Sequence, residues 1–334
     1  MPTNRQIILA QKPNGKLTAE SFRLAEGPMP SPGEGEVLVK ARYVSLDAAN
    51  RAWMQGVTYR SALETDAVMA GGSLAEVVES RAPHLKAGDL VFADTGWQAY
   101  AAIPAKHLEA LPKLEPVTHL LSIYGVTGLT AYFGLLRIGD PQPGETVVVS
   151  AAAGAVGSIV GQIAKIKGCR VIGVAGGPQK CAWLKDHLGF DEAVDYKAGD
   201  VRRQLRALAP DGVNVYFDNT GGDIFEAALF NMANHGRIVC CGAVSQYDDA
   251  PPAHGPRGVP GLIVTKRLKV QGFVVMDFYD GPNGKAAALA ELQAWVAAGK
   301  IKVQEDVIDG LENLPAALIG LLAGENRGKR MVRV

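Results

Sequence analysis

The spacing of apolar residues changes character near residue 125. Before that point, short apolar stretches alternate with turns. Residues 36–44 alternate between apolar and polar side chains as a half-buried strand does, and Asn14-Gly15 predicts a hairpin between residues 7–10 and 17–24. Gly71-Gly72 and Gly88-Asp89 each precede a further apolar run. Short strands separated by glycine turns predict an antiparallel, barrel-like domain.

Beyond residue 125, apolar runs alternate with helical patterns. The predicted strands are 147–150, 170–175, 194–196, 213–219, 237–243 and 268–275, and the predicted helices are 155–167, 178–188, 199–208, 223–233, 286–298 and 314–323. This alternation is typical of a parallel sheet with helices on both faces. A last strand at 331–334 is expected to rejoin the first domain, and the Pro/Gly-rich residues 251–261 are predicted to form a long loop.

The turn between strand 147–150 and helix 155–167 carries the most information. Ala152, Gly154 and Gly157 occupy the three positions at which a dinucleotide-binding turn has small residues. Such a turn lets a pyrophosphate approach the backbone and rest on a helix N-terminus. Because Ala152 replaces the first glycine, a tight strand-to-helix turn in another kind of α/β protein remains the alternative.

The end of the next strand favours one nicotinamide cofactor over the other. NAD-binding units carry an acidic residue about 20 residues beyond the turn, where it binds the ribose hydroxyls. Here the first acid is Asp186, inside the following helix, whereas Lys180 lies nearby and Tyr196 ends the third strand. Both could reach a 2′-phosphate, so NADPH is favoured. The alternatives are a solvated helix lysine and a half-buried core tyrosine.

Charge and hydropathy exclude several classes of partner. The 34 basic and 34 acidic side chains cancel, which argues against a nucleic-acid-binding protein. No apolar run approaches the roughly 18 residues of a membrane span. Residues 1–10 lack the apolar segment of a signal peptide, so a cytoplasmic protein is expected.

The cysteines and histidines do not form a recognisable metal site. Cys169, Cys181, Cys240 and Cys241 are interpreted as buried free thiols, and the first 120 residues contain no cysteine. His84, His107 and His119 are isolated in the sequence. A catalytic zinc needs about three protein ligands, so no metal is predicted.

Five segments in order resemble one family. They are 125–136 (GVTGLTAYFGLL), 151–157 (AAAGAVG), 218–222 (DNTGG), 272–280 (GFVVMDFYD) and 325–329 (ENRGK). The chain resembles the zinc-independent branch of the medium-chain dehydrogenases/reductases, and within it the leukotriene B4 dehydrogenase, prostaglandin reductase and alkenal double-bond reductase family. The resemblance implies a GroES-like β-barrel catalytic domain of residues 1–124 and 300–334. It also implies a Rossmann NADP-binding domain of residues 125–299.

The same resemblance implies a reaction. The family reduces the carbon–carbon double bond of α,β-unsaturated aldehydes and ketones with NADPH, by hydride transfer to the β-carbon, and is usually a homodimer. An NADPH quinone oxidoreductase of the same superfamily is the alternative enzyme. A nucleotide-binding regulatory protein that has lost activity is an alternative of another class.

Cofactor-binding residues follow from matching positions in the family motifs. Pyrophosphate contacts are expected from Gly154, Ala155, Val156 and Gly157, and 2′-phosphate contacts from Lys180 and Tyr196. Asn219 is placed beside the ribose. Along the nicotinamide the resemblance places Phe273, Val274, Val275 and Asn326. The remaining residues assigned to the cofactor site are Thr127, Gly177, Cys241, Gly242, Ser245 and Tyr247.

The substrate pocket is assigned to Ala49, Arg51, Tyr59, Trp97, Tyr247 and Tyr279. Ala49 stands where relatives have a pocket tyrosine, so the site is expected to be wider. Tyr279 is the candidate catalytic residue, because it matches a tyrosine that the resemblance places near the substrate carbonyl. The enolate oxygen would be stabilised by Tyr279 or by the nicotinamide ribose 2′-hydroxyl, and the proton would come from Tyr279 or from water. A loop aromatic that merely covers the site is the alternative.

Overall fold

The structure is a computed structural model that describes residues 3–57, 60–248 and 259–334. The chain divides into two compact units. The first unit comprises Met1–Leu121, Glu305–Glu325 and Arg330–Val334. The second comprises Ser122–Gln304 and Asn326–Lys329.

The elements alternate much as the hydrophobic pattern predicts. The strands are β1 Thr3–Leu9, β2 Phe22–Pro28, β3 Glu36–Ser45, β4 Ser73–Ser80, β5 Leu90–Ala93, β6 Tyr100–Pro104, β7 Thr146–Val149, β8 Arg170–Ala175, β9 Glu192–Asp195, β10 Val213–Asp218, β11 Met232–Cys240, β12 Lys269–Gly272, β13 Glu305–Asp309 and β14 Lys329–Arg333. The α-helices are α1 Ala49–Ala52, α2 Val126–Phe133, α3 Ala155–Ile166, α4 Pro178–Leu188, α5 Val201–Leu208, α6 Gly222–Asn231, α7 Val259–Lys266, α8 Lys285–Ala297 and α9 Leu314–Leu322.

The first unit is built on antiparallel strands. One sheet has the order β13-β14-β3-β4-β5, with β6 also paired to β3, and β1 pairs with β2. Met331 in β14 lies opposite Ser45 in β3, which confirms that the C-terminal strand returns to the N-terminal part of the chain. Alternate residues of the strands, such as Val37 and Val39, are fully buried in the core, as the period of two predicts.

The antiparallel pairing predicted between residues 7–10 and 17–24 is confirmed, but the tight turn predicted at Asn14-Gly15 is wrong. Strand β2 begins only at Phe22, and Leu9 of β1 pairs directly with Phe22. The connection is therefore a long loop with a short 3₁₀ turn at Ala19–Ser21. Leu17 is buried in the core of the unit, so its apolar character reflects loop packing rather than a strand.

The second unit contains a doubly wound parallel sheet. Its order is β12-β11-β10-β7-β8-β9, so the chain starts in the middle at β7 and crosses over once to β10. Val147 and Val149 pack into the core on one face and Val148 into the core on the other. Ligands of such sheets bind beyond the carboxyl ends of the strands, next to the point where the strand order reverses. Here that point lies between β7 and β10.

Two predicted segments differ from the structure. The strand predicted at 268–275 ends at Gly272, because Val275 turns into the core and starts a 3₁₀ turn, Val275–Phe278. Of the loop predicted at 251–261, residues 251–258 lie outside the described residues, and α7 begins at Val259.

Candidate active site

The turn after β7 has the geometry of an anion site. Gly154 is the N-cap of α3 in an extended conformation, and no side chain caps the helix there. The first N–H groups of a helix have no partner within the helix, and they attract anions together with the helix dipole. Three of these groups belong to Ala155, Val156 and Gly157. The backbone of the sequence-predicted turn is thus suited to a pyrophosphate.

Close packing explains the small residues of this turn. A Cβ on Gly157 would lie 2.4 Å from the carbonyl oxygen of Ala151, so only glycine fits. Ala152 is fully buried, and its Cβ would be 2.9 Å from a Cβ on Gly173 of β8. A glycine at position 173 therefore makes room for the alanine that replaces the first glycine of the motif.

The ends of β8 and β9 bring Lys180 and Tyr196 to the same edge of the sheet. Gly177, with φ +92°, is the N-cap of α4, and Lys180 lies in the first turn of that helix. Tyr196 follows β9, and its hydroxyl would lie 2.8 Å from a Cβ on Gly176. The Nζ of Lys180 donates a hydrogen bond to the backbone oxygen of Asn326 at 2.6 Å.

An acidic residue that the sequence argument overlooked lies at this edge. Asp195, the last residue of β9, accepts hydrogen bonds from the N–H groups of Gly177 (2.8 Å) and Lys197 (2.9 Å). The first acid after β8 in the sequence is Asp186, whereas the parallel neighbour β9 supplies Asp195. Its Oδ1 is already engaged with the backbone, unlike the ribose-binding acid of an NAD site.

Asp218 organises the carboxyl end of β10. Its Oδ1 accepts hydrogen bonds from the Tyr216 hydroxyl at 2.7 Å, the Ser150 hydroxyl at 3.1 Å and the Gly221 N–H at 3.0 Å. Burial, followed by the charge of Asp218, raises the pKa of Tyr216 well above 10, so its hydroxyl stays protonated and donates. This carboxylate is fully engaged in structure, which the sequence did not reveal.

Asn219 is held by the same network. Its N–H donates to the Ser150 hydroxyl (2.8 Å), and its Nδ2 donates to the Ser150 backbone oxygen (2.8 Å). These bonds link the end of β10 to the turn after β7. The amide oxygen of Asn219 is oriented by this pair of bonds.

The loop after β11 closes against the loop after β10. The N–H groups of Cys241 (2.8 Å) and Gly242 (3.2 Å) donate to the backbone oxygen of Asp218, and the Ser245 hydroxyl donates to that of Thr220 at 2.6 Å. Burial, and then the nearby Asp218 and Cys240, raise the pKa of the Cys241 thiol to about 12. Cys241 is therefore a neutral thiol rather than a nucleophile near neutral pH.

Tyr247 belongs to this loop as well. Its hydroxyl oxygen accepts a hydrogen bond from the Ala243 N–H at 3.4 Å, and burial raises its pKa. A groove of about 730 Å³ opens beside these loops, and it is lined by Tyr196, Gly221 and Ser245 among others. Three residues assigned to the cofactor site or adjoining it thus border one concave surface of the second unit.

The segment after β12 carries the nicotinamide and catalytic candidates. A Cβ on Gly134 would lie 2.5 Å from the ring of Phe273, so the ring packs against the end of α2, the helix whose first turn contains Thr127. Val275 is buried and is the first residue of the 3₁₀ turn, and Val274 is the residue that caps this turn.

Tyr279 follows the same 3₁₀ turn. It packs at the edge of the core, and burial raises the pKa of its hydroxyl above 10. The Nζ of Lys285 lies 5.6 Å from the centre of its ring. The hydroxyl is therefore protonated near neutral pH and can donate a hydrogen bond.

The C-terminal segment that contains Asn326 is fixed to the turn after β7. The Gly328 N–H donates to the backbone oxygen of Ala153 at 2.9 Å, and Gly154 and Gly328 form an isolated parallel bridge. The side chain of Asn326 is buried and donates to the Gly328 oxygen at 2.8 Å. A residue distant in sequence thereby joins the candidate cofactor site.

The pocket candidates of the first unit have other surroundings. Trp97 is fully buried and stacks on Phe22 with ring centres 5.5 Å apart, so its assignment to a substrate pocket is wrong in this structure. Arg51 is 1% exposed and donates to the Gly15 backbone oxygen (2.7 Å), so it too packs the core instead of facing a substrate. Ala49 starts α1 and is partly exposed, and Tyr59 lies outside the described residues.

Within the described ranges, no three His, Cys, Asp or Glu side chains are grouped so that they could hold a metal ion. Nor is any helix of the described chain both long and apolar enough to cross a membrane.

Two family models match the chain. The model described as the N-terminal domain of oxidoreductase matches residues 5–111, and the model described as zinc-binding dehydrogenase matches residues 155–293. Together they cover most of both compact units.

Curated relatives match over nearly the whole length. The chain is 44% identical to prostaglandin reductase 1 of Bos taurus, over 96% of this chain and 95% of that protein. It is 41% identical to the NADPH-dependent curcumin reductase of Escherichia coli, over 99% of this chain and 97% of that protein. It is 40% identical to the NADP(+)-dependent 2-alkenal reductase of Nicotiana tabacum, over 90% of this chain and 88% of that protein.

A solved structure supports the same relationship. CurA from Vibrio vulnificus, in complex with NADPH, is 42% identical and superposes with a TM-score of 0.94 over 99% of both chains. Quinone oxidoreductases are more distant: that of Escherichia coli, also with NADPH, is 23% identical with a TM-score of 0.78, which supports the fold alone. The predicted α/β class, with a GroES-like and a Rossmann domain, is confirmed.

Proposed function

Because this chain belongs to the zinc-independent medium-chain dehydrogenases/reductases, in the family of leukotriene B4 dehydrogenases, prostaglandin reductases and alkenal double-bond reductases, we infer that it is an NADPH-dependent enone reductase. It reduces the carbon–carbon double bond of α,β-unsaturated aldehydes and ketones. The observation that carries this function is the similarity over nearly the whole chain to a curcumin reductase, a prostaglandin reductase and a 2-alkenal reductase. The NADPH quinone oxidoreductase alternative has only distant support.

The residues at the sheet edge fit the cofactor. The uncapped N-terminus of α3 would hold the pyrophosphate, and Lys180 and Tyr196 would hold the 2′-phosphate. Asn219, which is held by Ser150, would contact the ribose. When bound, NADPH supplies the hydride.

Other assigned residues complete this proposal. Phe273, Val274 and Val275 are proposed to lie along the nicotinamide, and Asn326 to hold its amide. The loop after β8, with Gly177, and the loop after β11, with Gly242 and Ser245, would surround the adenosine. Cys241 and Tyr247 stabilise the loop after β11. Thr127, in the first turn of α2, completes the cofactor site.

The proposed acid is Tyr279. During reduction of an enone, negative charge develops on the carbonyl oxygen, and preorganised donors are often the largest source of catalysis at such a position. Burial raises the pKa of the Tyr279 hydroxyl, so it is protonated near neutral pH. Tyr279 would donate a hydrogen bond to that oxygen or a proton to the α-carbon. Ala49, in place of a tyrosine, widens the substrate pocket.

Replacing Tyr279 with Phe tests the acid. General acids contribute about 10²–10⁴-fold, so we expect kcat for a linear enone to fall about 100-fold or more, with NADPH affinity unchanged. Unaltered turnover would exclude the acid role and leave Tyr279 as a covering aromatic.

Replacing Lys180 with Ala tests the phosphate contact. Loss of a charge-assisted hydrogen bond of about 1.5–3 kcal/mol should weaken NADPH binding roughly 10- to 100-fold and leave NADH binding nearly unchanged. Lys185→Ala is the matched control, because Lys185 lies on the same helix but pairs with Glu192 at 3.1 Å. An equal loss for both cofactors would argue against the contact.

The enzyme is also proposed to be a homodimer. Strand β12 ends the described sheet with all four residues exposed, including Val270, and Val264 of the adjacent α7 is 72% exposed. An edge strand with apolar neighbours can pair with its own copy across a two-fold axis. Light scattering should give twice the chain mass, and Val270→Lys should shift it to the monomer. A monomeric wild type would refute the proposal.

A cytoplasmic location is part of the proposal as well. All four cysteines are free, which is typical of a reducing compartment. Fractionation of the native host with a cytoplasmic marker would test it, and recovery in another compartment would refute it.

A further inference from the structure

Asp195 connects the two segments that carry the proposed phosphate ligands. It ends β9, immediately before Tyr196, and its Oδ1 accepts the Gly177 N–H at 2.8 Å, immediately before α4. The same oxygen accepts the Lys197 N–H at 2.9 Å. One carboxylate oxygen thus holds the loop after β8 and the loop after β9 together.

The conformation of the loop after β8 depends on such a restraint. Gly177 has φ +92°, a region that favours glycine, and Pro178 fixes the first position of α4. No side chain caps α4 at Gly177, so the bond to Asp195 restrains the residue that starts the helix. Burial, and then the charge of the nearby Asp195, raise the pKa of the Cys181 thiol in the first turn of this helix.

The restrained loop sets the positions of Lys180 and Tyr196. Lys180 lies in the first turn of α4, three residues beyond Gly177. The Tyr196 hydroxyl packs so closely on Gly176 that a Cβ there would lie 2.8 Å away. A movement of residues 176–177 would therefore shift the base of Lys180 and remove the support of the Tyr196 ring.

A carboxylate beside a phosphate site would ordinarily oppose anion binding. Here Oδ1 is engaged with two N–H groups, which offset part of its charge. The hydrogen bonds and the charge therefore act in opposite directions on 2′-phosphate affinity. Asn retains the acceptor and removes the charge, whereas Ala removes both.

We propose that Asp195 is a positioning residue that determines cofactor selectivity, because it fixes the Gly176–Gly177 loop in the conformation that presents Lys180 and Tyr196 to the 2′-phosphate. This role rests on the proposed NADPH dependence and adds a residue that the family resemblance did not assign. In this role Asp195 acts through the loop rather than on the cofactor, because its Oδ1 binds the backbone N–H groups of Gly177 and Lys197.

The test measures dissociation constants of full-length protein for NADPH and NADH, and for 2′,5′-ADP and 5′-AMP, by calorimetry. For Asp195→Ala we expect the NADPH and 2′,5′-ADP constants to rise about tenfold, and those for NADH and 5′-AMP to change less than threefold. Asp195→Asn should keep NADPH binding within threefold of the wild type. Asp195→Ser, whose shorter side chain cannot reach both N–H groups, should resemble Asp195→Ala and is a second route if that variant does not fold.

The matched control is Asp191→Ala. Asp191 precedes β9, and its Oδ2 accepts the Val171 N–H of β8 at 2.6 Å, so it makes a similar bond between the same two strands at their opposite ends. Its loss should lower stability without changing the ratio of NADPH to NADH affinity. The ratio is therefore a readout that a merely structural role would not move.

Three results would overturn the proposal: equal losses for NADPH and NADH in Asp195→Ala, an unchanged ratio in both Ala and Ser variants, or an Asn variant as weak as Ala. Enone turnover and the cofactor preference of the wild type are measured first. A wild type without NADPH preference would refute the proposed function and this inference together. If the wild type prefers NADPH and the Ala and Ser variants keep the same ratio of NADPH to NADH affinity, only the role of Asp195 is refuted.

Discussion

Removal of the Asp218 carboxylate should destabilise the second unit through loss of a specific acceptor. Asp218 is 3% exposed, and Tyr216 and Ser150 are fully buried. In Asp218→Ala, the hydroxyls of Tyr216 and Ser150 lose the oxygen that lies 2.7 and 3.1 Å away. A buried donor left unsatisfied costs about 1–3 kcal/mol, so these two alone cost about 2–6 kcal/mol. A change of 1 kcal/mol shifts the Tm of a unit of this size by roughly 2–4 °C.

The Tm of the second unit should therefore fall by roughly 10 °C in Asp218→Ala. Asp218→Asn should lose much less, because five of the hydrogen bonds converge on Oδ1 and an amide oxygen can replace it. Tyr216→Phe removes one donor and leaves the carboxylate with its others, so it should cost about 1–2 kcal/mol.

Thermal unfolding followed by circular dichroism, with hydrogen exchange at residues 217–221 to assign the transition, measures these effects. NADPH affinity should fall in parallel in the Ala variant, because the Ser150 hydroxyl that accepts the Asn219 N–H loses its own acceptor. If Asp218→Asn were as damaging as Asp218→Ala, the reasoning from convergence on one acceptor atom would be refuted.

Three further changes test the packing, the turn and the ion pairs of the second unit. Gly161→Ala should destabilise by about 1–3 kcal/mol, because a Cβ there would lie 1.9 Å from the Phe190 ring; an unaltered Tm would contradict this packing. Gly157→Ala should weaken NADPH and NADH binding alike, since the Cβ meets the Ala151 backbone; a calorimetric change confined to NADPH would argue against it. Burial opposes ionisation of Glu145, but the hydrogen bonds from Arg237 and Gln142 lower its pKa below 4.5 in the folded state. The Glu145–Arg237 pair therefore stabilises the fold above pH 4.5, and this stabilisation disappears as the pH falls through the lowered pKa of Glu145. The difference in urea midpoint between wild type and Glu145→Gln should shrink from pH 7 to pH 3. A constant difference would contradict the argument.

The order of strands and helices in the second unit could be predicted because buried parallel strands and amphipathic helices leave distinct hydrophobic periods. Helix α4 was predicted with its observed bounds, since Pro178 marks its start. In the first unit, Asn14-Gly15 resembled a hairpin turn, whereas Leu17 is buried by loop packing. A periodic pattern cannot distinguish such a residue from one in a strand.

The candidate site was less accessible to sequence reasoning. Two of its features depend on contacts between neighbouring parallel strands that are distant in sequence. Gly173 makes room for the Cβ of Ala152, and Asp195 binds the N–H of Gly177. Trp97 and Arg51 were assigned to a substrate pocket, but both side chains are buried in the first unit. The sequence signal for Asp195 is its position at the end of the third parallel strand, because the loop after that strand lies beside the loop that contains Gly177.

The central claim is hydride transfer to a carbon–carbon double bond. The most direct measurement is mass spectrometry and NMR of the product formed from a linear enone and NADPH deuterated at nicotinamide C4. The account predicts a saturated ketone with deuterium on the β-carbon, formed with NADPH far faster than with NADH. An allylic alcohol with deuterium on the carbonyl carbon, or cofactor oxidation with quinones and none with any enone, would contradict it.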